Sequence, residues 1–309
     1  MRRYPMGECL GATGVEKLRE CRKRSECAMT ETIPCTNFHE PIILGRSGLR
    51  VARLGVGSSF SAPTSSYEEA FEKGVNYFYW GSLRRNFMGD AIRNLAPRHR
   101  HELVVVIQSY ARLGVIVVRS LERALAKLKL DNADVLLLGW HSKPPGARIV
   151  DAALQLKARG LVKHLAVSGH NRLMFPALLD DLRFAIWHVR YNAVHRGAER
   201  EVLPHLAPRR RDDRPGLVTF TATRWGHLCD PRRTPPGEHT PTGTDCYRFA
   251  LSHPTVNVVL AGPNSQEHMS QALRALELGP MSEDELTWMR RVGDYIYEHN
   301  TTARLISRA

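Results

Sequence analysis

Short apolar runs recur along the chain from residue 42 onward, each closed by a glycine or a polar residue. The clearest is ADVLLLGWHS (133–142), whose VLLL core is far below the roughly 20 apolar residues that a membrane span takes. Its length suits a strand buried on both faces, the kind found in parallel sheets covered by helices. Similar runs predict strands over 54–57, 75–79, 103–109, 162–167, 184–191, 217–221 and 256–260. Between them, apolar positions spaced three and four apart predict helices over 67–73, 87–95, 117–128, 148–159, 175–179, 199–206 and 245–251, with two more over 264–276 and 282–297.

Local signals set the expected ends. Ser65 or Ser66 is available as a helix N-cap and Gly74 as the stop; Pro97 closes the second helix. Asn264 with Glu267, and Ser282 with Glu285, have capping-box spacing. Residues 42–51 read as a small hairpin around Gly45-Arg46-Ser47-Gly48, and a long Pro- and Gly-rich loop is expected over 223–244. Eight strands alternating with helices favour a (β/α)8 TIM barrel with an N-terminal β-hairpin. A doubly wound open sheet is the runner-up, but no GxGxxG turn follows the first strand.

Composition narrows this further. Of the 309 residues 43% are hydrophobic, enough for one substantial core. Residues 1–40 break the pattern: they hold Cys9, Cys21, Cys27 and Cys35 and read as an extension ahead of a barrel over 41–309. None of the six cysteines forms a CxxC pair, so the metal signal is weak and free thiols are the ordinary expectation, while the crowding of four in the first 35 residues keeps a labile metal or redox role open. The N-terminus has Arg2 and Arg3 without an apolar run behind them, so a cytoplasmic, membrane-free protein is expected. The formal charge of +13 is spread along the chain without a zinc-finger, RNP or basic-zipper pattern, so no nucleic-acid partner is expected.

Candidate chemistry gathers at the predicted strand ends, where α/β folds build their sites. Tyr79, Trp80, Tyr110, Trp140, His141, His170 and Trp225 all fall there. Tyr79 or His141 is a candidate proton donor. Arg84 and Arg224, on predicted mouth loops, are candidates to hold an anionic small-molecule substrate. A metal on His141, His170 and His188 has only shared location in its favour.

Several stretches carry a resemblance. ILGRSGLRVARLGVGS (43–58) resembles the N-terminal hairpin and first strand of the aldo-keto reductases, and GVNYF (74–78) their second strand. LDNADVLLLGW (130–140) is similar to the fourth, and HVRYNAVHRGAEREVLP (188–204) to the sixth and the helix after it. AGPNSQEHMSQAL (261–273) looks like their last cofactor loop and helix. The resemblance implies the same barrel, NADPH- or NADH-dependent carbonyl reduction, and a catalytic tetrad of Asp, Tyr, Lys and His. This chain departs at all four places, which hold Tyr79, Arg84, Gln108 and Gly139, the last followed by Trp140.

The resemblance also implies cofactor positions. Ser168 matches the serine that holds the nicotinamide amide, with Asn171 near the position of the neighbouring asparagine. His188 stands for a glutamine and Thr221 for the stacking tyrosine. Gly57 and Ser58 close the first strand, while Gly262, Asn264 and Ser265 form the phosphate-side turn, with His268 in place of the 2′-phosphate arginine. The expectation is an aldo-keto-reductase-like oxidoreductase with altered proton-transfer residues. Two alternatives stay open: a catalytically inactive barrel, a pseudoenzyme that binds a nucleotide or other ligand, and a lyase or isomerase without a nicotinamide cofactor.

Overall fold

The computed structural model describes residues 37–81 and 83–299. The extension expected over residues 1–40, with its four cysteines, lies outside the described residues except for 37–40. Phe38 is already buried, beneath the Arg53 guanidinium at 4.7 Å.

Two short strands, β1 (Ile42–Ile43) and β2 (Arg50–Val51), pair antiparallel. Eight parallel strands follow: β3 (Leu54–Gly57), β4 (Tyr77–Trp80), β5 (Val104–Ser109), β6 (Ala133–Leu138), β7 (Val162–Gly169), β8 (Phe184–Arg190), β9 (Gly216–Phe220) and β10 (Val258–Ala261). They pair in chain order, and β10 pairs with both β9 and β3, so the sheet closes into an α/β (β/α)8 barrel. The apolar runs are continuous because both faces are covered. Along β4, Tyr77 and Tyr79 turn into the barrel, while Phe78 and Trp80 pack outward under the helices.

The β1–β2 unit joins the core inside the barrel through Leu44 and Val51. Gly45 makes this approach possible. It has φ +51° and bridges to Pro215, and a side chain there would run into the Gly216 backbone at the start of β9.

Among the described residues the helices are α1 (Thr64–Glu72), α2 (Asn86–His99), α3 (Gly114–Leu128), α4 (Ala147–Ala158), α5 (Ala198–Glu201), α6 (Leu203–Leu206), α7 (Gly243–Ser252), α8 (Gln266–Leu278) and α9 (Glu283–Glu298). Several ends differ from the sequence expectation. Helix α1 starts at Thr64, so its N-cap position falls on Pro63, which has no side-chain acceptor, and Ser66 lies inside the helix, where it bonds Gln266. Helix α2 runs through Pro97 to His99; a proline so near the end forfeits little of the hydrogen-bond ladder. The element expected over 175–179 is two 3₁₀ turns, Arg172–Met174 and Pro176–Leu178, and the one over 199–206 is split between α5 and α6. Prolines at the starts of Pro176–Leu178 and α6 favour such short pieces. The Ser282–Glu285 capping box forms, but α8 is capped by Ser265 rather than Asn264. Among the described residues no helix is long and apolar enough to cross a membrane.

One buried carboxylate ties three strands together at the entry end of the barrel. Asp134 on β6 accepts the Val105 N–H at 2.8 Å and pairs with Arg100 at 2.9 Å and Lys163 at 2.8 Å. Asp134→Ala leaves the Val105 N–H unpaired and strips its counter-charge from Arg100. It is expected to cost about 3 kcal/mol, read as a lower urea midpoint at unchanged m-value.

Candidate functional site

The carboxyl ends of the strands open into one cavity of about 550 Å³, within the usual range for small-molecule sites. Its floor is Tyr79, Gln108, Leu137, Ser168 and His188. The cavity runs on past Gly57 to Gly262, Asn264, His268 and Gln271 at the start of α8. Tyr110, Trp140, His170 and Phe220 form its rim through successive edge-to-face contacts at about 6 Å. Phe60 and Trp225 also line the cavity.

The four places of the implied tetrad end up in different roles. The Tyr79 hydroxyl donates to Gln108 Oε1 on the floor. Gly139, whose N–H bonds the Ser109 carbonyl, has no room for a side chain because the Gln108 amide occupies that space. Arg84 is turned away from the cavity. It bonds the Gln108 carbonyl and the Ser120 carbonyl and hydroxyl on α3, and lies 5.7 Å over Trp80. Arg84 therefore fastens β5 to α3 instead of presenting a charge to substrate.

Trp140 adopts φ +57°, rare for a bulky residue. Three bonds hold it there: its N–H donates to Ser168 Oγ at 3.2 Å, Arg112 grips its carbonyl, and the next N–H, of His141, donates to the Ser168 carbonyl at 2.8 Å. The turn sends the indole to the rim and tucks the His141 ring behind the wall, with Nε2 unpartnered. His141 is thus not placed as the proton donor; burial, then Arg112, pushes its pKa down to about 4. Thr221, Arg224 and Trp225 also have positive φ, +64°, +51° and +56°, so strain gathers at the mouth after β6 and after β9.

Of the implied cofactor positions, Gly57, Ser168, His188, Thr221, Gly262, Asn264 and His268 line the cavity. Ser58, Asn171 and Ser265 do not. Ser58 Oγ bonds the Gly81 and Leu83 carbonyls, Asn171 caps the turn at Leu173 and reaches the Ser142 carbonyl, and Ser265 Oγ caps α8 by accepting the His268 N–H. Arg224 is buried against His195 and His227, and Trp80 faces outward, so neither reaches the cavity. Phe60, Cys229, Tyr247 and Gln271 line it without having been singled out in the sequence. The last two belong to helices, where spacing signals packing and not the view into a cavity.

Among the described residues the lining holds no Asp, Glu, Lys or Arg. Two of its histidines, His170 and His188, do not supply fixed charge either. His188, fully buried with Nε2 2.8 Å from the Tyr77 hydroxyl, has its pKa pushed down to about 3 by burial, and burial also lowers that of His170. His195, behind the wall, is pushed down to about 3 by burial and then by Arg190 and Arg224. No group of three His, Cys, Asp or Glu among the described residues is placed to hold a metal ion.

This buried set has a consequence for acid stability. When unfolded, His141, His188 and His195 take up protons near pH 6.5; when folded, they stay neutral down to about 3 or 4. These three histidines therefore leave stability unchanged above pH 6.5. Below it, each histidine costs about 1.4 kcal/mol per pH unit until its folded pKa is reached. The urea midpoint should fall steeply between pH 6.5 and 4. His188→Gln should remove about one proton from the uptake on unfolding at pH 5; an unchanged uptake would mean that His188 is already charged in the fold.

No protein-family profile matches the chain, and no curated protein does. Solved structures do. The holo form of aldo-keto reductase AKR11C1 from Bacillus halodurans superposes with a TM-score of 0.66 at 20% identity, covering 82% of this chain and 96% of that one. Its apo form gives 0.65 at 19%, covering 82% and 95%. The chain has the aldo-keto reductase fold. At this identity the likeness is one of fold, and it agrees with the motifs of β3, β4, β6 and β8. Within an aldo-keto reductase fold the cavity stands where the barrel presents its strand ends, and the groups found there are an amide, a phenol and aromatic rings.

Proposed function

We propose that this chain is an aldo-keto-reductase-type oxidoreductase that reduces a small carbonyl compound, with Tyr79 as proton donor and NADH as the favoured cofactor. The observation that carries this reading is the continuity of one cavity from Tyr79 and Ser168 to the start of α8. An extended dinucleotide needs a groove of that kind.

The chain's own groups support a nicotinamide dinucleotide unevenly. Ser168 Oγ accepts from Trp140, which leaves its proton free to donate to a carboxamide. The first N–H groups of α8 and the helix dipole favour a pyrophosphate beside Asn264. A 2′-phosphate meets no lining cation, only His268 with the Glu267 carboxylate in the same helical turn, and this favours NADH over NADPH. The bound dinucleotide would supply hydride. Tyr79 would turn its hydroxyl from Gln108 to the carbonyl oxygen and give the proton, while the Gln108 amide holds the phenol oxygen. Without a lining cation the phenol is a weaker acid catalyst, and slow turnover is expected.

The charge-free lining favours a second reading, a barrel that binds a neutral aromatic ligand without turnover. Titrating the full-length protein with NADH and NADPH, followed by quenching of Trp140 and Trp225 fluorescence, separates the two. Saturable binding, tighter for NADH, with oxidation of NADH in the presence of an aldehyde or ketone supports the reductase. If neither dinucleotide quenches the fluorescence, that reading is lost and the binding protein stands.

A further inference from the structure

Two thiols meet in the cavity wall. Cys229 closes the 3₁₀ turn His227–Cys229 that follows the strained residues after β9, and Cys246 lies in the first turn of α7. Their sulfurs are 3.9 Å apart, and both are free. Cys229 lines the cavity, as do Gly226 on its own turn and Gly243 and Tyr247 on either side of Cys246. Cys246 itself is buried. We propose that Cys229 and Cys246 are a peroxide-reactive thiol pair that closes to a disulfide across the cavity wall.

The two sulfurs are placed for different parts. Cys229 is reached from the cavity, and hydrogen bonding from Cys246 lowers its pKa, whereas the hydrogen bond to Cys229, and then burial, raises that of Cys246. A hydroperoxide entering the cavity transfers one oxygen to the Cys229 thiolate, giving a sulfenic acid and releasing hydroxide or alkoxide. The Cys246 sulfur then attacks the Cys229 sulfur, the S–O bond breaks, and water leaves. Overall, two thiols and one peroxide give one disulfide and two molecules of water, or of water and alcohol. The sulfurs must approach by nearly half their present separation, which pulls the turn after β9 against α7.

The test uses the full-length chain with Cys9, Cys21, Cys27 and Cys35 replaced by serine, so that only this pair reports. After treatment with equimolar hydrogen peroxide, the intact mass should fall by two hydrogens. Both thiols should become untitratable, and peptide mapping should join Cys229 to Cys246; dithiothreitol should reverse all three. With Cys246→Ser or Cys246→Ala added, Cys229 should instead gain one oxygen and be trapped by dimedone. Two titratable thiols after treatment, or oxygen gained at Cys229 with Cys246 still present and no cross-link, overturns the proposal.

Discussion

Tyr79→Phe is expected to lower kcat for carbonyl reduction by about 100- to 10,000-fold while leaving the NADH Kd unchanged. That range is what a positioned general acid contributes. The substitution removes one oxygen from the floor and keeps the ring, which packs between Gly57 and Gly81 and lies 5.8 Å from His188. The fold should lose the bond to Gln108, on the order of 1 kcal/mol. Initial rates from NADH absorbance, beside Kd from tryptophan quenching, distinguish the two effects. A kcat within a fewfold of wild type would mean that the proton comes from elsewhere, and from neither Arg84 nor His141, which do not line the cavity.

The second large effect concerns Gly139. Gly139→Ala is expected to destabilise the protein by about 3 kcal/mol, because its methyl group would overlap the Gln108 amide. In a Gln108→Ala background the same change should cost less than about 1 kcal/mol. The coupling energy of the cycle, from urea unfolding of the four proteins, should then be about 2 kcal/mol. Equal costs in both backgrounds would show that the backbone at Gly139 is the obstacle. The geometry behind the cycle is a competition: the Gln108 amide and a side chain at 139 would fill one space.

The barrel itself was legible because a strand covered on both faces needs a continuous apolar run, and each of the eight runs lies at a barrel strand. The helix pieces around Pro176 and Pro204 were harder, since apolar spacing does not register where a proline breaks the turn. Within the site, a strand-end position gave the neighbourhood of a side chain but not its direction. Tyr79 and Trp80 are adjacent and face opposite ways. Ser58, Asn171 and Ser265 carry the right groups at the right places, yet each spends its side chain on the backbone of its own or a neighbouring loop. Arg84 and Arg224 stand in sequence where they could hold an anionic substrate, but long side chains reach past the mouth to carbonyls and imidazoles behind it. The turn that hides His141 depends on Trp140 taking a left-handed conformation, which no propensity favours.

The charge-free lining has a further meaning for ligand choice. Where tyrosine, tryptophan, phenylalanine and the neutral imidazoles of His170 and His188 wall it, the cavity behaves toward an entering molecule as a small organic phase bordered by water, with the amides and hydroxyls of Gln108, Ser168, Thr221 and Asn264 as its polar points. Across a set of related compounds, affinity should follow their partition from water into such a phase, at about 25 cal/mol per Å² of apolar surface withdrawn, rather than their charge. The barrel would then sort the metabolites around it by solubility first and by functional group second.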